Sequence, residues 1–406
     1  MRRIGYFVPE FPGQTHIFFW RELAELRARG VEPELVSTRR PRRGLISHTW
    51  AREAMARTVY LAPPSAREVV SMIAELGRTA PDGWARCAAS IARTEGLELP
   101  GRLRLAALAI MGSSLAAVAR ARGWTHIHAH SCAETADTAL FASLLSGLPY
   151  SLTLHGPLAD YGPNQREKWR HAEFAVVITR KLRREVVEAL SGSLPPFVEV
   201  APMGVELGRF ARQTPYDPWT GKGPLRLFSC GRLTHGKGHQ DLIEAAEILR
   251  QRGIDARLSI AGEDDAGGTG YRSVLEAQVA RGTPAGATAL LGAVSEERVR
   301  DELSRAHVFA LASLTEALGV ATMEAMAMRV PVVVTGVGGV PELVDDGVNG
   351  LLVSPAQPEE MADTIEAVAR DPDRARRLGE AGRRKVEAGF DSGRSAEVLA
   401  RHLLAR

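Results

Sequence analysis

The sequence predicts an α/β protein with two doubly wound parallel sheets that face a central cleft. Short strand-like runs alternate with helix-like stretches, and this alternation stops near residue 212, at a segment rich in proline and glycine, before it starts again. The length of 406 residues exceeds what one ordinary hydrophobic core supports. A hydrophobic share of 45% and a charged share of 24% are typical of a soluble globular protein. Together these observations predict two domains of similar construction.

The first domain is expected over residues 1–211. The stretch HIFFWRELAELRARG (16–30) is predicted to be its first helix, because Phe19, Leu23 and Leu26 recur at helical spacing and a glycine follows as a stop. Its strand candidates are short and apolar, as in a sheet covered on both faces. They are RIGYFV (3–8), PELVST (33–38), HIHAH (126–130), YSLTLH (150–155), FAVVIT (174–179) and FVEVAPM (197–203).

A linker is expected over residues 212–224, which contain three prolines and two glycines. The second domain is expected over 225–390, and a C-terminal helix within 391–406 can pack back on the first domain. The strand candidates of the second domain are LRLFSCG, ARLSIAG, ATALLGAV, HVFALAS, PVVVTG and GLLVSP. Its predicted helices are 239–252, 295–306 and 358–370, the last opening with proline and two glutamates as a helix start does.

Charge is distributed unevenly along the chain. Residues 1–210 carry 27 Lys and Arg against 20 Asp and Glu, and TRRPRR (38–43) holds four arginines. This half is expected either to contact an anionic membrane surface or acidic partner, or to expose ordinary solvated loops. Nucleic acid is not expected, because no interleaved aromatic residues or binding motif accompany the arginines. The uncharged run Leu105–Ala119 is too short to span a bilayer and is interpreted as a buried helix.

The three cysteines, Cys87, Cys132 and Cys230, are widely spaced and odd in number. They predict neither a disulfide framework nor a zinc site and fit a reducing cytoplasm. The N-terminal segment MRRIGYFVPEFPG has no signal-peptide pattern. We therefore expect a cytoplasmic protein, which can be peripheral at the inner face of the plasma membrane.

The loop GRLTHGKG (231–238) follows a predicted strand and precedes a predicted helix. Its glycines permit close approach of the backbone to a ligand, and Arg232 and Lys237 supply two cations that suit a diphosphate. It matches neither a Walker loop nor a G-x-G-x-x-G fingerprint. The loop alone fits phosphate binding and an ordinary strand–helix turn about equally well.

The stretch SLTEALGVATMEAM (313–326) places two glutamates around a strand-to-helix transition. Gly319 lies at the first turn of the predicted helix, where free N–H groups favour an anion. Glu316 precedes the helix and Glu324 lies on its flank, and a carboxylate can accept hydrogen bonds from two neighbouring hydroxyls of a sugar or ribose. Taken alone, Glu316 is better explained as a helix-capping residue and Glu324 as a surface residue.

With these motifs in place, the sequence resembles retaining glycosyltransferases of the GT-B fold, specifically family 4. Glu316 to Glu324 matches the E-x(7)-E signature of that family, and GRLTHGKGHQDLIEA, LSIAGE, LLGAVSEERV, PVVVTGVGGVPELVDDGVNGLLV and VAPMGVELGRF agree in order. The segment FPGQTHIFFWRE (11–22) is similar to members that build bacterial exopolysaccharides. The resemblance covers essentially the whole chain and implies two Rossmann-like domains, the first for the acceptor and the second for a nucleotide-sugar donor.

The resemblance implies roles at the donor side. Arg232 and Lys237 would bind the diphosphate together with backbone amides at Leu318, Gly319 and Val320. Glu316 would bind the transferred sugar and Glu324 the ribose, and His155 is expected to contact the sugar near the reacting carbon. Glu263 and Ala293 are expected beside the base, although Asp264 departs from the small residue that relatives carry there. Of these residues, His155, Glu316, Arg232 and Lys237 are the catalytic candidates.

Residues of the first domain are candidates for the acceptor side. Gly13 is expected to let the backbone approach the donor phosphate or the acceptor, while Thr15 and His16 are acceptor candidates. His16 fits equally well as a helix N-terminal residue without catalytic duty. His126, His128 and His130 alternate on one strand, a spacing that permits a metal ion, but the family needs none and no metal is expected. His130, nearest the strand end, is the one expected to reach the cleft.

These observations predict a metal-independent, retaining glycosyltransferase without a cofactor, in bacterial exopolysaccharide or surface-glycan synthesis. Its partners would be a nucleotide-sugar donor and a glycan, lipid-linked or small-molecule acceptor. The alternatives are transfer to a lipid-linked or small natural-product acceptor, a non-catalytic nucleotide-sugar-binding protein, and an epimerase or phosphorylase of the same fold.

Overall fold

The computed structural model of the chain describes residues 1–41, 48–63, 66–78, 81–265, 268–282 and 284–405. It has two α/β domains, each built on one parallel sheet. The basic segment TRRPRR extends beyond the first of these ranges, and its residues 42 and 43 lie outside the described part of the chain. The predicted fold class is confirmed.

The first domain contains a seven-stranded sheet in the order β3-β2-β1-β4-β5-β6-β7. Its strands are β1 (Arg2–Glu10), β2 (Val31–Arg39), β3 (Val59–Ala62), β4 (Ile127–His130), β5 (Tyr150–Leu154), β6 (Ala175–Val177) and β7 (Val198–Val200). Its helices are α1 (Ile17–Ala28), α2 (Ala51–Arg57), α3 (Ala66–Arg78), α4 (Pro81–Arg93), α5 (Leu99–Arg122), α6 (Glu134–Ser146), α7 (Gln165–Arg170) and α8 (Arg180–Ala189). The edge strand β3 and the helices α3 and α4 were not anticipated as separate elements.

The second domain contains a six-stranded sheet in the order β10-β9-β8-β11-β12-β13. Its strands are β8 (Leu225–Cys230), β9 (Ala256–Ala261), β10 (Thr288–Gly292), β11 (Val308–Leu311), β12 (Val332–Thr335) and β13 (Leu351–Val353). The helices that follow the linker are α9 (His239–Gln251), α10 (Tyr271–Gly282), α11 (Glu296–Arg305), α12 (Val320–Ala327), α13 (Val340–Leu343), α14 (Pro358–Ala369), α15 (Pro372–Gly389) and α16 (Gly393–Leu404). Each of the six predicted strands is present.

Two apolar clusters fill the molecule. One runs through the first domain and continues onto the face of the second sheet that α12 covers, where Phe309 and Val332 belong to it. Val308 and Val333 point to the opposite face and belong to the second cluster, which α9 and α14 complete. This division follows from the alternation of side chains along buried strands.

The chain crosses between the domains twice. Residues 212–224 form the first crossing and contain neither helix nor strand. The second crossing follows α15, where Val205 N–H of the first domain donates to Phe390 O at 2.9 Å. The terminal helix α16 then packs against α1, and Arg2 donates to the Leu403 carbonyl.

The long helix α5 lies beside α6 in the first domain. Among the described residues it is the helix with the length and apolar composition to cross a membrane, yet 56% of its most apolar stretch is buried within the protein. Its second half, from Gly112 to Ala119, is almost wholly buried, as predicted, whereas Ile110 is exposed.

Strand order explains where a ligand can bind. In each sheet the winding direction changes beside the first strand, between β1 and β4 in one sheet and between β8 and β11 in the other. Loops that leave adjacent strands at such a point in opposite directions open a crevice at their carboxyl ends. The loops after β1, β5, β8 and β11 accordingly line one cavity between the domains.

Candidate functional site

The cavity between the domains has a volume of about 320 Å³ and draws its walls from both sheets. The first domain contributes Gln14, Thr15, Phe18, His48 and His155. The second contributes Arg232, Lys237, Ala293, Glu316, Leu318, Gly319, Val320 and Glu324, among others. Nine of the residues predicted from the sequence for the donor and catalytic roles therefore meet in one place.

Lys237 and Glu316 form an ion pair inside the cavity. Lys237 Nζ donates to Glu316 Oε2 at 2.5 Å, and both side chains are largely shielded from solvent. An ammonium group has three donors, so this contact leaves two N–H groups for an incoming anion. The pair therefore combines a cation for phosphate with a carboxylate whose second oxygen can accept from a sugar hydroxyl.

The glycine after Lys237 is required by close packing of the two loops. Gly238 has φ +63°, and a Cβ there would lie 1.8 Å from the carbonyl oxygen of Ala312, at the end of β11. The same approach lets Leu314 N–H donate to Gly236 O at 2.9 Å. The GKG motif thus holds the lysine loop directly against the loop that carries Glu316.

Helix α12 begins at the floor of the cavity. Gly319 is its N-cap residue with φ +98°, a conformation that favours glycine. Because the first N–H groups of a helix have no partner within it, this end provides donors and a positive dipole for an anion. The predicted helix start is therefore in place beside Lys237.

Arg232 is the more exposed of the two predicted cations. About half of its side chain is exposed, and its Nη1 lies 3.7 Å from Asp265 Oδ2. This loose contact leaves the guanidinium able to turn toward a ligand in the cavity that it borders.

Glu324 reaches the cavity but is already bound to the other domain. Its Oε1 accepts from Nη2 of Arg21, on helix α1, at 2.8 Å. The same Nη2 donates to Oε2 of Glu296, on α11, at 2.9 Å. Burial raises the pKa of Glu324, and the positive charge of Arg21 opposes that rise. Arg21 therefore favours the ionised form of Glu324.

The predicted base-side residues differ in their exposure to the cavity. Ala293 lines it, whereas Glu263 pairs with Arg272 at 2.7 Å and contributes no side chain to the wall. Gln14 of the first domain joins this rim, since its amide donates to Glu263 O at 2.9 Å and accepts from Glu263 N–H at 3.0 Å. Asp264 is turned away and accepts from backbone N–H groups of its own loop, including that of Arg272.

His155 lies at the first-domain side of the cavity, at the end of β5. Its Nε2 is 3.1 Å from Nδ1 of His130, and His130 Nε2 is 3.2 Å from Oε2 of Glu22. Burial is the main cause that lowers the pKa of His155 to about 3, and it also lowers that of His130. Both imidazoles are therefore neutral near neutral pH and act through hydrogen bonds rather than charge.

Three residues that were predicted for the acceptor side or for the loop between β1 and α1 do not line the cavity. They are His130, His16 and Gly13. His130 is fully buried beneath His155, so it supports that residue and cannot contact an acceptor directly. His16 is the N-cap residue of α1 without a capping hydrogen bond, and its ring packs 5.2 Å from that of Phe19. Gly13 packs against His16, because a Cβ there would lie 2.8 Å from His16 Nδ1. Thr15, by contrast, is exposed at the cavity rim.

The alternating histidines of β4 form ordinary side-chain hydrogen bonds. His126 and His128 both contact Ser151 Oγ, at 2.8 and 2.7 Å, and His128 also contacts Thr153 Oγ1. Across the described ranges, no group of three or more His, Cys, Asp or Glu side chains has an arrangement that could hold a metal ion.

Sequence reasoning missed Arg21, Glu22, Gln14 and His48. A signal was present for Glu22, because it lies three residues after Phe19 and four before Leu26, within the apolar stripe of the helix. A charged residue in such a stripe is buried and needs a partner. For Gln14 and His48 the sequence carries no comparable signal.

Comparison with known proteins identifies the second domain. Residues 219–385 match the family model described as glycosyl transferases group 1. The second domain is therefore similar to the group 1 glycosyltransferases over these residues. The match covers Lys237 of the GKG loop, Glu316, Gly319 and Glu324, which line the cavity described above.

Relatives extend the likeness to the first domain. The alpha-maltose-1-phosphate synthase of Mycolicibacterium smegmatis is 28% identical over 323 residues, covering 72% of this chain and 82% of its own. The amylovoran biosynthesis glycosyltransferase AmsK of Erwinia amylovora is 33% identical over 188 residues, covering 44% of this chain and 45% of its own. The family match and these relatives support glycosyltransferase activity with nucleotide sugars.

A solved structure places the whole chain in one fold. The crystal structure of Alr3699/HepE from Anabaena, in complex with UDP and glucose, superposes with a TM-score of 0.74 at 16% identity, covering 100% of both chains. At that identity the likeness establishes the fold alone, which is GT-B with two Rossmann-like domains.

Proposed function

We propose that this protein is a retaining glycosyltransferase that moves a sugar from a nucleoside diphosphate sugar to an acceptor hydroxyl. One observation carries the proposal: Lys237, Glu316, Glu324 and the N-terminal end of α12 meet His155 of the other domain in a single cavity. The first four suit a diphosphate, a sugar and a ribose. His155 extends the cavity to the domain that would receive the acceptor.

The proposed reaction is a transfer on one face of the sugar. The bond from the anomeric carbon to the diphosphate oxygen breaks, and a bond to the acceptor oxygen forms on the same face. The acceptor proton passes to the departing diphosphate, whose growing charge is stabilised by Lys237, Arg232 and the amides of Leu318, Gly319 and Val320. Glu316 is paired with Lys237 and is therefore assigned to sugar hydroxyls rather than to attack on the anomeric carbon.

We also propose that no metal ion or other cofactor takes part. Lys237, Arg232 and the helix end together supply positive charge that a divalent cation would otherwise provide at a diphosphate. The test is transfer after exhaustive treatment with EDTA. An activity that disappears and returns with added magnesium or manganese would refute this part of the proposal.

The acceptor class is proposed to be a glycan of a bacterial surface or exopolysaccharide. This rests on the resemblance of residues 11–22 to exopolysaccharide enzymes and on the likeness to AmsK, whose name places it in amylovoran biosynthesis. A lipid-linked or small natural-product acceptor is the alternative, and the two are separated by which acceptor becomes radiolabelled from a labelled donor.

We further propose that the protein is cytoplasmic and peripheral to an anionic membrane. The three cysteines are free, as in a reducing compartment. Val70 and Ile73 on α3, and Leu99, Leu103 and Ile110 on α5, are large apolar residues exposed on the more basic domain. Exposed apolar residues close to basic ones suit an anionic lipid surface.

The proposed function is tested first by nucleotide binding. Thermal unfolding is followed with UDP, GDP, ADP and dTDP, and the base that fits should raise the midpoint as RT ln(1 + [L]/Kd) requires. The matching nucleotide sugar is then supplied with acceptors, and NMR of the product reads the anomeric configuration. No stabilisation by any of the four nucleotides would refute the donor site. Inverted product would refute retention, and isomerised donor without an acceptor would indicate an epimerase.

A further inference from the structure

Helix α1 carries two adjacent charged residues, Arg21 and Glu22, that are both almost completely buried. Consecutive residues on a helix point about 100° apart, so they face different neighbours. Buried charges are retained only with partners, because each loses its hydration. The partners of Arg21 and Glu22 lead to opposite ends of the candidate donor site.

Arg21 leads to the nucleotide end. Its Nη2 lies 2.8 Å from Glu324 Oε1 and 2.9 Å from Glu296 Oε2, and its guanidinium carbon lies 5.2 Å from the centre of the Phe210 ring. Arg209 Nη1 adds a second cation 3.2 Å from Glu296 Oε1. The contact at Oε1 fixes the plane of the Glu324 carboxylate and leaves Oε2 for hydroxyls in the cavity that Glu324 lines.

Glu22 leads to the sugar end. Its Oε2 accepts from Tyr6 Oη at 2.6 Å and lies 3.2 Å from His130 Nε2. The nearby carboxylate of Glu22 repels a nitrogen lone pair, so it favours the His130 tautomer that carries its proton on Nε2 and presents the lone pair of Nδ1 to His155. His155 then carries its proton on Nε2, 3.1 Å away, and its own Nδ1 is a hydrogen-bond acceptor. The tautomers are assigned from this network.

We propose that Arg21 and Glu22 are positioning residues through which one helix of the first domain fixes both ends of the donor. Arg21 orients Glu324 for the nucleotide, and Glu22 sets the tautomer of His155 through His130. This inference rests on the proposed function, because it takes Glu324 and His155 to contact the donor.

The two roles predict losses in two different measurements, nucleotide affinity for the Arg21 variant and kcat for the Glu22 variant. Arg21→Met should raise the dissociation constant of the nucleoside diphosphate that stabilises the wild type by about tenfold or more, the size expected for the loss of charged hydrogen bonds. Its kcat at saturating donor should fall less. Arg21→Lys should recover part of the affinity, because an ammonium group restores the cation without the planar geometry of guanidinium.

Glu22→Gln should lower kcat more than it lowers nucleotide affinity. It keeps the shape of the side chain but removes the charge that orders His130, so kcat should fall about fivefold or more while nucleotide affinity stays within about twofold, by the same energy scale. Selective ¹⁵N labelling of histidine adds a structural measurement. The His155 signals, assigned by their loss in His155→Gln, should show an unprotonated Nδ1 in the wild type and a changed tautomer population in Glu22→Gln.

The control is Glu25→Gln, on the same helix but near the surface, where Glu25 pairs with Arg29. It should change neither nucleotide affinity nor kcat, and the thermal midpoint of every variant shows whether the fold is retained. Wild-type nucleotide affinity in Arg21→Met would refute the role of Arg21. Wild-type kcat with unchanged His155 signals in Glu22→Gln would refute that of Glu22. Equal losses of both properties in both variants would show a shared packing role and refute the division.

The outcomes also separate this inference from the proposed function. If the wild type binds none of the four nucleotides and transfers no sugar, the proposed function fails. If the wild type binds and transfers, and Arg21→Met and Glu22→Gln behave like Glu25→Gln, only the positioning roles fail.

Discussion

Replacement of Lys237 by methionine tests the electrostatics of the candidate donor site most directly. Methionine keeps much of the apolar stem and removes the charge. Lys237 Nζ lies 2.5 Å from Glu316 Oε2 in a largely buried pair. The loss of a charged hydrogen bond to the diphosphate costs about 1.5–3 kcal/mol. Since each 1.36 kcal/mol corresponds to a factor of ten, kcat/KM should fall roughly ten- to 150-fold.

The variant should lose nucleotide affinity for a second reason. Without Lys237, the charge of Glu316 has no cation next to it and repels an incoming diphosphate. The double variant Lys237→Met/Glu316→Gln removes this repulsion, so it should bind nucleoside diphosphate more tightly than Lys237→Met alone. It should still transfer poorly, because both the phosphate cation and the sugar-binding carboxylate are absent.

Isothermal titration with the nucleoside diphosphate and a nucleotide-release assay measure the two effects separately. Lys222→Met, in the exposed linker, is the matched control and should behave as wild type. Wild-type kcat/KM in Lys237→Met would refute the assignment of the cation. Weaker nucleotide binding in the double variant than in Lys237→Met would refute the repulsion argument.

Three further predictions concern pH, packing and membranes. Burial lowers the pKa of His155 to about 3, so at low pH the unfolded state binds a proton that the folded state does not, and stability present above pH 6.5 is lost as the pH falls, by about 1 kcal/mol at pH 5.5. Thermal midpoints at pH 5.5 and 7.5 should therefore differ less in His155→Gln than in the wild type. Gly238→Ala should lower the free energy of unfolding, measured with urea, by more than Gly253→Ala does. Both glycines have positive φ, which costs alanine roughly 1 kcal/mol, but only at Gly238 would a Cβ collide with a backbone oxygen. Leu103→Glu should reduce co-sedimentation with phosphatidylserine vesicles, whereas Val348→Glu, at an exposed position of the second domain, should not. Equal binding of the wild type and both variants would contradict the proposed membrane surface.

The fold could be predicted from the sequence because its strongest signals are local. Each of the six strands in the second domain is an apolar run bounded by turn residues, and each was predicted. The strand that was missed, Val59–Ala62, lies at the sheet edge and is buried only at its two central residues, so it lacks the continuous burial of a central parallel strand. The separate helices α3 and α4 were missed in the same region.

The residues with which the second domain lines the cavity could be recognised in the sequence for a similar reason. Lys237, Glu316 and Gly319 lie in strand-to-helix connections whose glycines and turns are visible in the sequence. The acceptor side was predicted less well. His130 looked exposed because it ends a strand, but His155 of the neighbouring strand lies between it and the cavity. Which of two adjacent strand ends covers the other depends on the three-dimensional packing.

The contacts of Arg21 and Glu22 bear on which domain supplies the groups of the candidate donor site. The first domain was expected to bind mainly the acceptor and the second the donor, and Glu324 of the second domain receives its hydrogen-bonding cation from Arg21 of the first, 303 positions away in sequence. The pair of Gln14 with the backbone of Glu263 is a second such contact at the rim. Because Arg21 of the first domain contacts Glu324, separating the domains would remove both this hydrogen bond and the burial that raises the pKa of Glu324. Any exchange of the first domain to change the acceptor would therefore have to keep Arg21, Glu22 and Gln14 in order to keep the donor site.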